Sequence, residues 1–220
     1  MLGRFDVRMN KLIVTEVFSR LRATDPEPVT ELEYTNDFTL LVAIVLSAQA
    51  TDVGVNKATK PLFALYDTPE KIRDLGGEGL KQYIKTIGLF NSKAKNVIGL
   101  CDMLIDEFEG VIPESREALQ RLPGVGRKTA SVWMNCARGH PMIAVDTHVY
   151  RVSNRLGLIK TKTADKTEVA FEKKVPEEFK QHAHHWLILH GRYVCKARKP
   201  LCYNCRLEDV CRYNKKTPAP

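Results

Sequence analysis

Apolar residues recur at intervals of three and four along most of the chain. That spacing predicts helices over Leu12 to Leu21, Phe38 to Leu46, Leu80 to Ile87, Lys93 to Phe108, Ala118 to Leu122, Thr129 to Ala137 and His184 to Leu189. Two-residue alternation with Asn-Gly or Asp-Gly turns is missing, and Ile143 to Val145 is the one stretch that resembles a strand. The predicted class is therefore all-α. The punctuation agrees: Thr68-Pro69 offers a cap with proline at the first helical position, Ser115 can cap the next helix, and Gly139 and Gly191 stand where helices should end. No fixed-period repeat or low-complexity linker interrupts the pattern, and a composition shift near Pro141 is the one candidate boundary.

Composition narrows the function classes. The chain has 220 residues, 44% of them hydrophobic and 27% charged, with Lys+Arg 34 against Asp+Glu 26 and a formal charge of +8. That balance suits a globular protein and excludes a disordered tail or a fibre. The longest apolar run, Phe38 to Ala48, is about half of the roughly 20 residues that a membrane span needs. The first ten residues, MLGRFDVRMN, show neither a secretory signal nor a transit peptide, so a reducing cytosol is the expected compartment. An excess of positive charge there makes a polyanion the leading partner.

Four of the six cysteines crowd into one segment as Cys195, Cys202, Cys205 and Cys211. Four thiols so close together in a reducing compartment point to a metal centre rather than to disulfides. Structural zinc usually takes two short C-x2-4-C knuckles, whereas here only Cys202 and Cys205 form one. The gaps of six and five residues suit a wrap around a 4Fe-4S cluster, with zinc as the alternative. The first gap carries Lys196, Arg198 and Lys199, a basic loop that can press on phosphates or simply be solvated. Cys101 and Cys136 lie in apolar helical segments and read as inert buried thiols.

Leu122-Pro123-Gly124-Val125-Gly126 breaks two helical runs so tightly that the helices must form a hairpin. Its two glycines allow positive φ and close approach to another surface, and the N–H groups that open the following helix form an anion site that fits a DNA phosphate. The stretch LPGVGRKTA has the form of a helix-hairpin-helix motif. Lys128 falls in the first turn of the second helix, where the helix dipole disfavours a cation. With an ordinary pKa near 10.4, only about one lysine in 2,500 is a neutral nucleophile at pH 7, so an activated amine needs help from its surroundings. Lys128 is thus either a nucleophile able to attack the sugar carbon C1′ and form a Schiff base, or an ordinary phosphate ligand.

Taken together, LSAQATD (Leu46 to Asp52), TIGLFNSKA (Thr86 to Ala94), LPGVGRKTA (Leu122 to Ala130), AVDTHVYRV (Ala144 to Val152), HHWLILHGR (His184 to Arg192) and the four cysteines resemble the endonuclease III family of bifunctional DNA glycosylases, over nearly the full length. The resemblance implies removal of oxidised or ring-damaged pyrimidines from duplex DNA, then strand cleavage at the abasic site by β-elimination. It implies two all-α domains in a monomer. Residues 30–140 would form a six-helix barrel bearing the hairpin, and residues 1–29 with 141–220 a helical domain holding the iron-sulfur cluster. By the same resemblance Lys128 is the Schiff-base nucleophile and Asp146 the essential carboxylate, the latter also placed to cap a helix before Thr147. Asp52 is a weaker second carboxylate whose plainer role is a surface cap. Extruding a damaged nucleotide leaves a hole to fill, and Gln49 and Leu89 match the family's filling and wedge residues. Gly124, Gly126 and Arg127 of the hairpin, His148, and Lys199 of the basic loop complete the implied DNA contacts.

Two other readings use the same residues. An adenine glycosylase shares the cysteine spacing but lacks this lysine, places a catalytic glutamate before the glutamine and carries an extra C-terminal domain. Here Phe38 to Ala48 holds no acid and nine residues follow Cys211. A non-catalytic, cluster-bearing DNA-binding module would use the hairpin only for salt-sensitive affinity, and the pairing of Lys128 with Asp146 argues against it. His182, His184, His185 and His190 lie on or beside a core helix and read as structural rather than metal-binding.

Overall fold

The computed structural model describes residues 11–220, so the reading of the first ten residues as free of a leader lies outside the described residues. The described residues hold ten α-helices, one short 3-10 helix and no strand, and the all-α expectation holds. The chain divides into two compact units, one made of residues 1–29 and 140–220, the other of residues 30–139.

The 30–139 unit comprises α2 (Asp37–Ser47), α3 (Asp52–Phe63), α4 (Pro69–Ile84), α5 (Phe90–Phe108), α6 (Arg116–Leu119) and α7 (Arg127–Arg138). Its centre is α2, in which every residue from Phe38 to Leu46 is buried. A helix apolar on all sides must be surrounded by others. Asn36 starts it with a full capping box, its side chain accepting from the Thr39 N–H while the Thr39 hydroxyl accepts from the Asn36 N–H, each at 2.9 Å. α7 is latched to the same end. The Trp133 Nε1–H donates to the Asp37 carbonyl at 2.9 Å, and Arg138, stacked on the Trp133 ring at 4.9 Å, pairs with the Asp37 carboxylate at 2.6 Å and Glu114 at 3.1 Å.

The second unit gathers α1 (Lys11–Thr24), α8 (Thr147–Leu156), α9 (Ala164–Lys174) and α10 (Glu177–Tyr193), followed by the cysteine segment. Val14, Val17, Phe18 and Leu21 of α1 meet Val149, Val152 and Leu156 of α8, Phe171 of α9 and Phe179, Ala183, Trp186 and Leu187 of α10 in one core. Phe18 stacks on Phe179 at 5.8 Å, and Trp186 lies 6.2 Å from both. The Trp186 Nε1–H donates to the Asp25 carbonyl at 2.7 Å, which anchors the end of α1.

Several boundaries differ from the sequence pattern. Gly191 does not end a helix: it lies buried inside α10, where a Cβ would come within 3.0 Å of the His148 Cβ and 3.1 Å of Val152, so its missing side chain serves packing against α8. The segment predicted as Leu80 to Ile87 is the second half of α4. That helix starts at Pro69 under the Thr68 cap, bends at Gly76 (φ 71°) and ends at Ile84. The short helix predicted to reach Leu122 stops at Leu119. α3 and α9 went unpredicted because each shows its core only a few apolar residues: Val55, Ala58, Leu62 and Phe63 in one, Phe171 with Thr167 in the other. Ile143 to Val145 is buried but forms no strand.

This buried stretch is held from α10: the His184 Nδ1–H donates to the Ala144 carbonyl at 2.6 Å. His185, next to it, is buried as well, and burial first, then the nearby His184, His182 and Arg192, push its pKa down to about 3. The folded protein thus resists a proton that the unfolded chain accepts near pH 6.5, so stability is complete above that pH and declines as the pH falls toward 3. We expect urea titrations between pH 7 and 5 to show a loss approaching about 1.4 kcal/mol per pH unit that His185→Leu removes. An identical pH slope in that variant would assign the acid sensitivity elsewhere.

Candidate functional site

In the 30–139 unit the hairpin between α6 and α7 is built around Gly124. Its φ is +80°, and a Cβ there would stand 3.0 Å from the Asn96 Cβ and 3.0 Å from Val45 Cγ1. Only glycine fits both demands. Pro123 packs on Gly99 of α5, where a Cβ would come within 3.2 Å of its ring. Gly126 differs: its φ of −85° is ordinary and nothing lies within 4 Å of a Cβ, so the surface in front of it is open. It is also the N-cap of α7 and supplies no side-chain acceptor to the N–H groups of the first turn. Arg127 and Lys128 stand exposed in that turn. Backbone donors, helix dipole and two cationic side chains thus converge on one open surface suited to a phosphate.

Gln49 and Leu89 share an unusual backbone. Both are non-glycine residues in the left-handed region, with φ of 54° and 60°, and both are exposed, Leu89 by 58%. Left-handed leucine costs on the order of 1 kcal/mol, and an exposed leucine recovers little of it by packing. Val45, one turn before Gln49, and Asn96, two turns after Leu89, are the residues that border Gly124. The end of α2, the start of α5 and the hairpin therefore lie together in this unit. Asp52 is not the cap foreseen for it. The Thr51 hydroxyl accepts from the Gly54 N–H at 3.2 Å, and Asp52 is the first residue of α3.

The other unit presents the start of α8. The Asp146 carboxylate accepts from the Val149 N–H at 2.7 Å and so caps the helix, which holds the half-buried side chain in one orientation. His148 follows, its pKa lowered by burial and by Arg151 and Arg192 against the opposing pull of Asp146. Arg151 lies one turn on, with Nη2 3.1 Å from His148 Nδ1, 2.9 Å from the Gly191 carbonyl, and Nε 3.2 Å from the Cys195 carbonyl. A hydrogen bond from the His148 ring to the Gly191 backbone also opposes the lowering, whereas Arg151, which only donates, favours a ring nitrogen that accepts.

Cys195, Cys202, Cys205 and Cys211 all line one cavity, together with Leu156, His190, Val194, Leu201 and Tyr213. Short backbone turns shape the segment: Cys195 N–H to His190 O at 2.7 Å, Leu201 N–H to Val194 O at 2.9 Å, and Cys205 N–H to Cys202 O at 3.1 Å. Burial, with the neighbouring sulfurs adding to it, pushes the Cys205 thiol up to about 11, and burial likewise raises Cys211. Four sulfurs on one cavity, two of them held protonated by burial until a cation replaces the proton, fit a group taking four thiolate ligands. Among the described residues no three His, Cys, Asp or Glu side chains are arranged to hold a single metal ion. By contrast, the isolated Cys101 is buried and Cys136 only half-buried, both outside this segment, and desolvation raises each to about 12. Lys199 is exposed on the loop after Cys195, with φ of 50°.

Arg151 and Arg155 were not singled out from the sequence. Their signal was present: His148, Arg151 and Arg155 each stand one position before, or one before the turn of, the core residues Val149, Val152 and Leu156, so they share the polar face of α8. Charge is also divided between the units. Residues 140–220 hold 16 Lys and Arg against 8 Asp and Glu, whereas residues 30–139 hold 13 against 14. No helix of the described residues is long and apolar enough to cross a membrane.

The backbone at the two hairpin glycines makes a contrast for measurement. Gly124→Ala should cost about 2 kcal/mol in denaturant unfolding from the positive φ and the crowding at Asn96 and Val45, whereas Gly126→Ala should cost less than about 1 kcal/mol. Equal costs would contradict the packing described.

Comparison with known proteins gives consistent similarities. The HhH-GPD superfamily of base excision DNA repair proteins matches residues 42–177. The chain is 58% identical to endonuclease III of Rickettsia conorii, across 93% of this chain and 98% of that protein. It is 58% identical to endonuclease III of Haemophilus influenzae, across 94% of this chain and 99% of that one. Among solved structures, that of a trapped endonuclease III–DNA covalent intermediate superposes with a TM-score of 0.87 at 45% identity, covering 92% of this chain and 96% of that chain.

Proposed function

The chain belongs to the endonuclease III family of base excision DNA repair proteins, and we propose that it removes oxidised or ring-damaged pyrimidines from duplex DNA and then cleaves the strand at the abasic site. The observation that carries this reading is the uncapped, glycine-opened start of α7 with Lys128 in its first turn. A binding module needs the hairpin, but it has no use for an amine beside the phosphate site when Arg127 already supplies the charge.

The chemistry runs through the Lys128 amine. Its lone pair attacks C1′ of the damaged nucleotide as the bond from C1′ to the base breaks, and the base leaves with its electron pair and gains a proton. Opening of the sugar ring gives the Schiff base between C1′ and Nζ. That imine acidifies C2′; loss of the C2′ proton expels the 3′ phosphate and cuts the strand. Asp146 stabilises positive charge developing on the sugar and accepts a proton from the attacking amine. Its role as the cap of α8 supports this, because a fixed carboxylate needs no reorganisation. Gln49 and Leu89 fill the gap left by the extruded nucleotide, and their exposed left-handed backbone is consistent with side chains held outward for that purpose. Gly124, Gly126 and Arg127 hold the backbone phosphates, and His148 adds a polar contact from the start of α8.

In this reading residues 30–139 form the barrel domain carrying the hairpin, and residues 1–29 with 140–220 form the cluster domain. Cys195, Cys202, Cys205 and Cys211 hold a 4Fe-4S cluster, supported by the cavity they share and by the gaps of six, two and five residues between them. The cluster supplies structure: it pins the loop bearing Lys196, Arg198 and Lys199, through which Lys199 contacts a phosphate. The protein works as a monomer on DNA in the cytoplasm.

Borohydride should trap a covalent complex on a duplex with one thymine glycol and on an abasic duplex, and Lys128→Ala should abolish both while still binding. Trapping by that variant, or loss of its fold, would overturn the assignment. Lys199→Ala should lower the slope of log K against log salt by about one unit for every sequence. An unchanged slope would remove the loop from the interface.

A further inference from the structure

Arg155 stands on the polar face of α8 and is committed entirely to the cysteine segment. Its Nη1 donates to the Cys195 sulfur at 3.6 Å and to the Lys196 carbonyl at 2.7 Å, and its Nη2 donates to the Ala197 carbonyl at 3.0 Å. The guanidinium also stacks on the Tyr213 ring at 4.5 Å, two residues beyond Cys211. A fork that binds a sulfur with one arm and two successive carbonyls with both arms has no freedom left, and the flat face is closed by an aromatic ring. No carboxylate pairs with Arg155 in these contacts, so its charge is directed at the sulfur and the carbonyl dipoles.

The neighbouring contacts make Arg155 distinctive. The His190 ring approaches the Cys205 sulfur at 3.7 Å, but its side chain is bonded to no carbonyl of the basic loop. Arg151 binds the carbonyl of Cys195, not its sulfur. Arg155 alone among these three touches both a metal-ligating sulfur and the first residues of the loop that carries Lys199. Resting on the cluster and DNA-contact reading above, we propose that Arg155 is the positioning residue that joins the two. It fixes the start of the basic loop in its phosphate-facing form and sets the electrostatic environment of the Cys195 thiolate.

Two consequences follow from one side chain. A cation and N–H donor at a ligating thiolate favour the more negative, reduced form of an iron-sulfur cluster, so removing them lowers its reduction potential. Freeing the Lys196 and Ala197 carbonyls unfastens the loop, so fewer counterions are released on DNA binding.

The experiment compares Arg155→Gln and Arg155→Lys with the wild-type holoprotein, each matched for iron content and visible absorption. Cluster potential is measured by voltammetry without DNA, and the salt slope on an undamaged duplex. For Arg155→Gln we expect a lower potential and a salt slope reduced by about one unit or more. Arg155→Lys, which keeps the charge but loses the fork, should restore most of the potential and less of the slope. A fully loaded Arg155→Gln protein with wild-type potential and slope overturns the proposal. So does a change in thermal stability alone, which is the signature of a merely structural arginine. If Arg155→Gln cannot hold iron, a loaded Arg155→Lys protein with wild-type potential and slope overturns it equally. Wild-type protein that binds no iron under anaerobic reconstitution would instead sink the cluster assignment, and an unchanged slope in Lys199→Ala would sink the loop assignment, each without reference to Arg155.

Discussion

Burial of Val149, Val152 and Leu156 decides where the chemistry of the terminal unit points. α8 has only ten residues, and an isolated helix of that length is marginal in water. It persists because those three side chains enter a core shared with α1, α9 and α10. Once that face is fixed, geometry leaves no choice for the rest. Asp146 must lie at the N-terminus, and His148, Arg151 and Arg155, each one position before a core residue, must run along the flank beside that face. Gly191 lets α10 approach so closely that His148 Cβ and Val152 sit where its own Cβ would be. A larger residue there would push the two helices apart and carry Arg151 and Arg155 away from Cys195.

The 30–139 unit has a different foundation with a similar outcome. Its wall is α2, buried along its length, and α7 is held to the start of that helix by Trp133 and Arg138. Arg138 is largely solvent-facing, so its ion pairs with Asp37 and Glu114 contribute little individually; the buried indole with its hydrogen bond carries most of the attachment. The far end of α2 then brings Val45 against Gly124. A helix whose function is purely to be buried thus fixes the turn from which Lys128 projects.

How much of this was legible depended on whether the cause was local. Helices with dense apolar stripes, such as α2 and α5, can be read directly, as can the caps at Thr68 and Ser115, because a cap is a contact within three residues. The hairpin is equally local, since Gly124 and Gly126 announce themselves, although their different reasons do not: one meets Asn96 and Val45, the other open space. α9 was illegible because its inward face is partly Thr167 and Glu168, and the role of Gly191 was misread because its reason is α8, some forty positions away. Arg155 belongs with these. An arginine on an amphipathic helix reads as solvated surface until Cys195, Lys196 and Ala197 are seen around it.

The distribution of charge gives the last step. Residues 30–139 are nearly neutral, so the phosphate affinity of the hairpin depends on short-range backbone donors and on Arg127 and Lys128, which act within a few ångströms. The excess of eight positive charges in residues 140–220 acts over the longer distance of the Debye length, about 8 Å at physiological salt, and so governs encounter and non-specific hold. Such a division separates two demands that conflict on one surface. A strongly cationic catalytic turn would hold any phosphate backbone with similar strength and so would not favour the one nucleotide beside Lys128. With most of the cationic excess carried elsewhere, the hairpin can keep its few charges for positioning a single nucleotide.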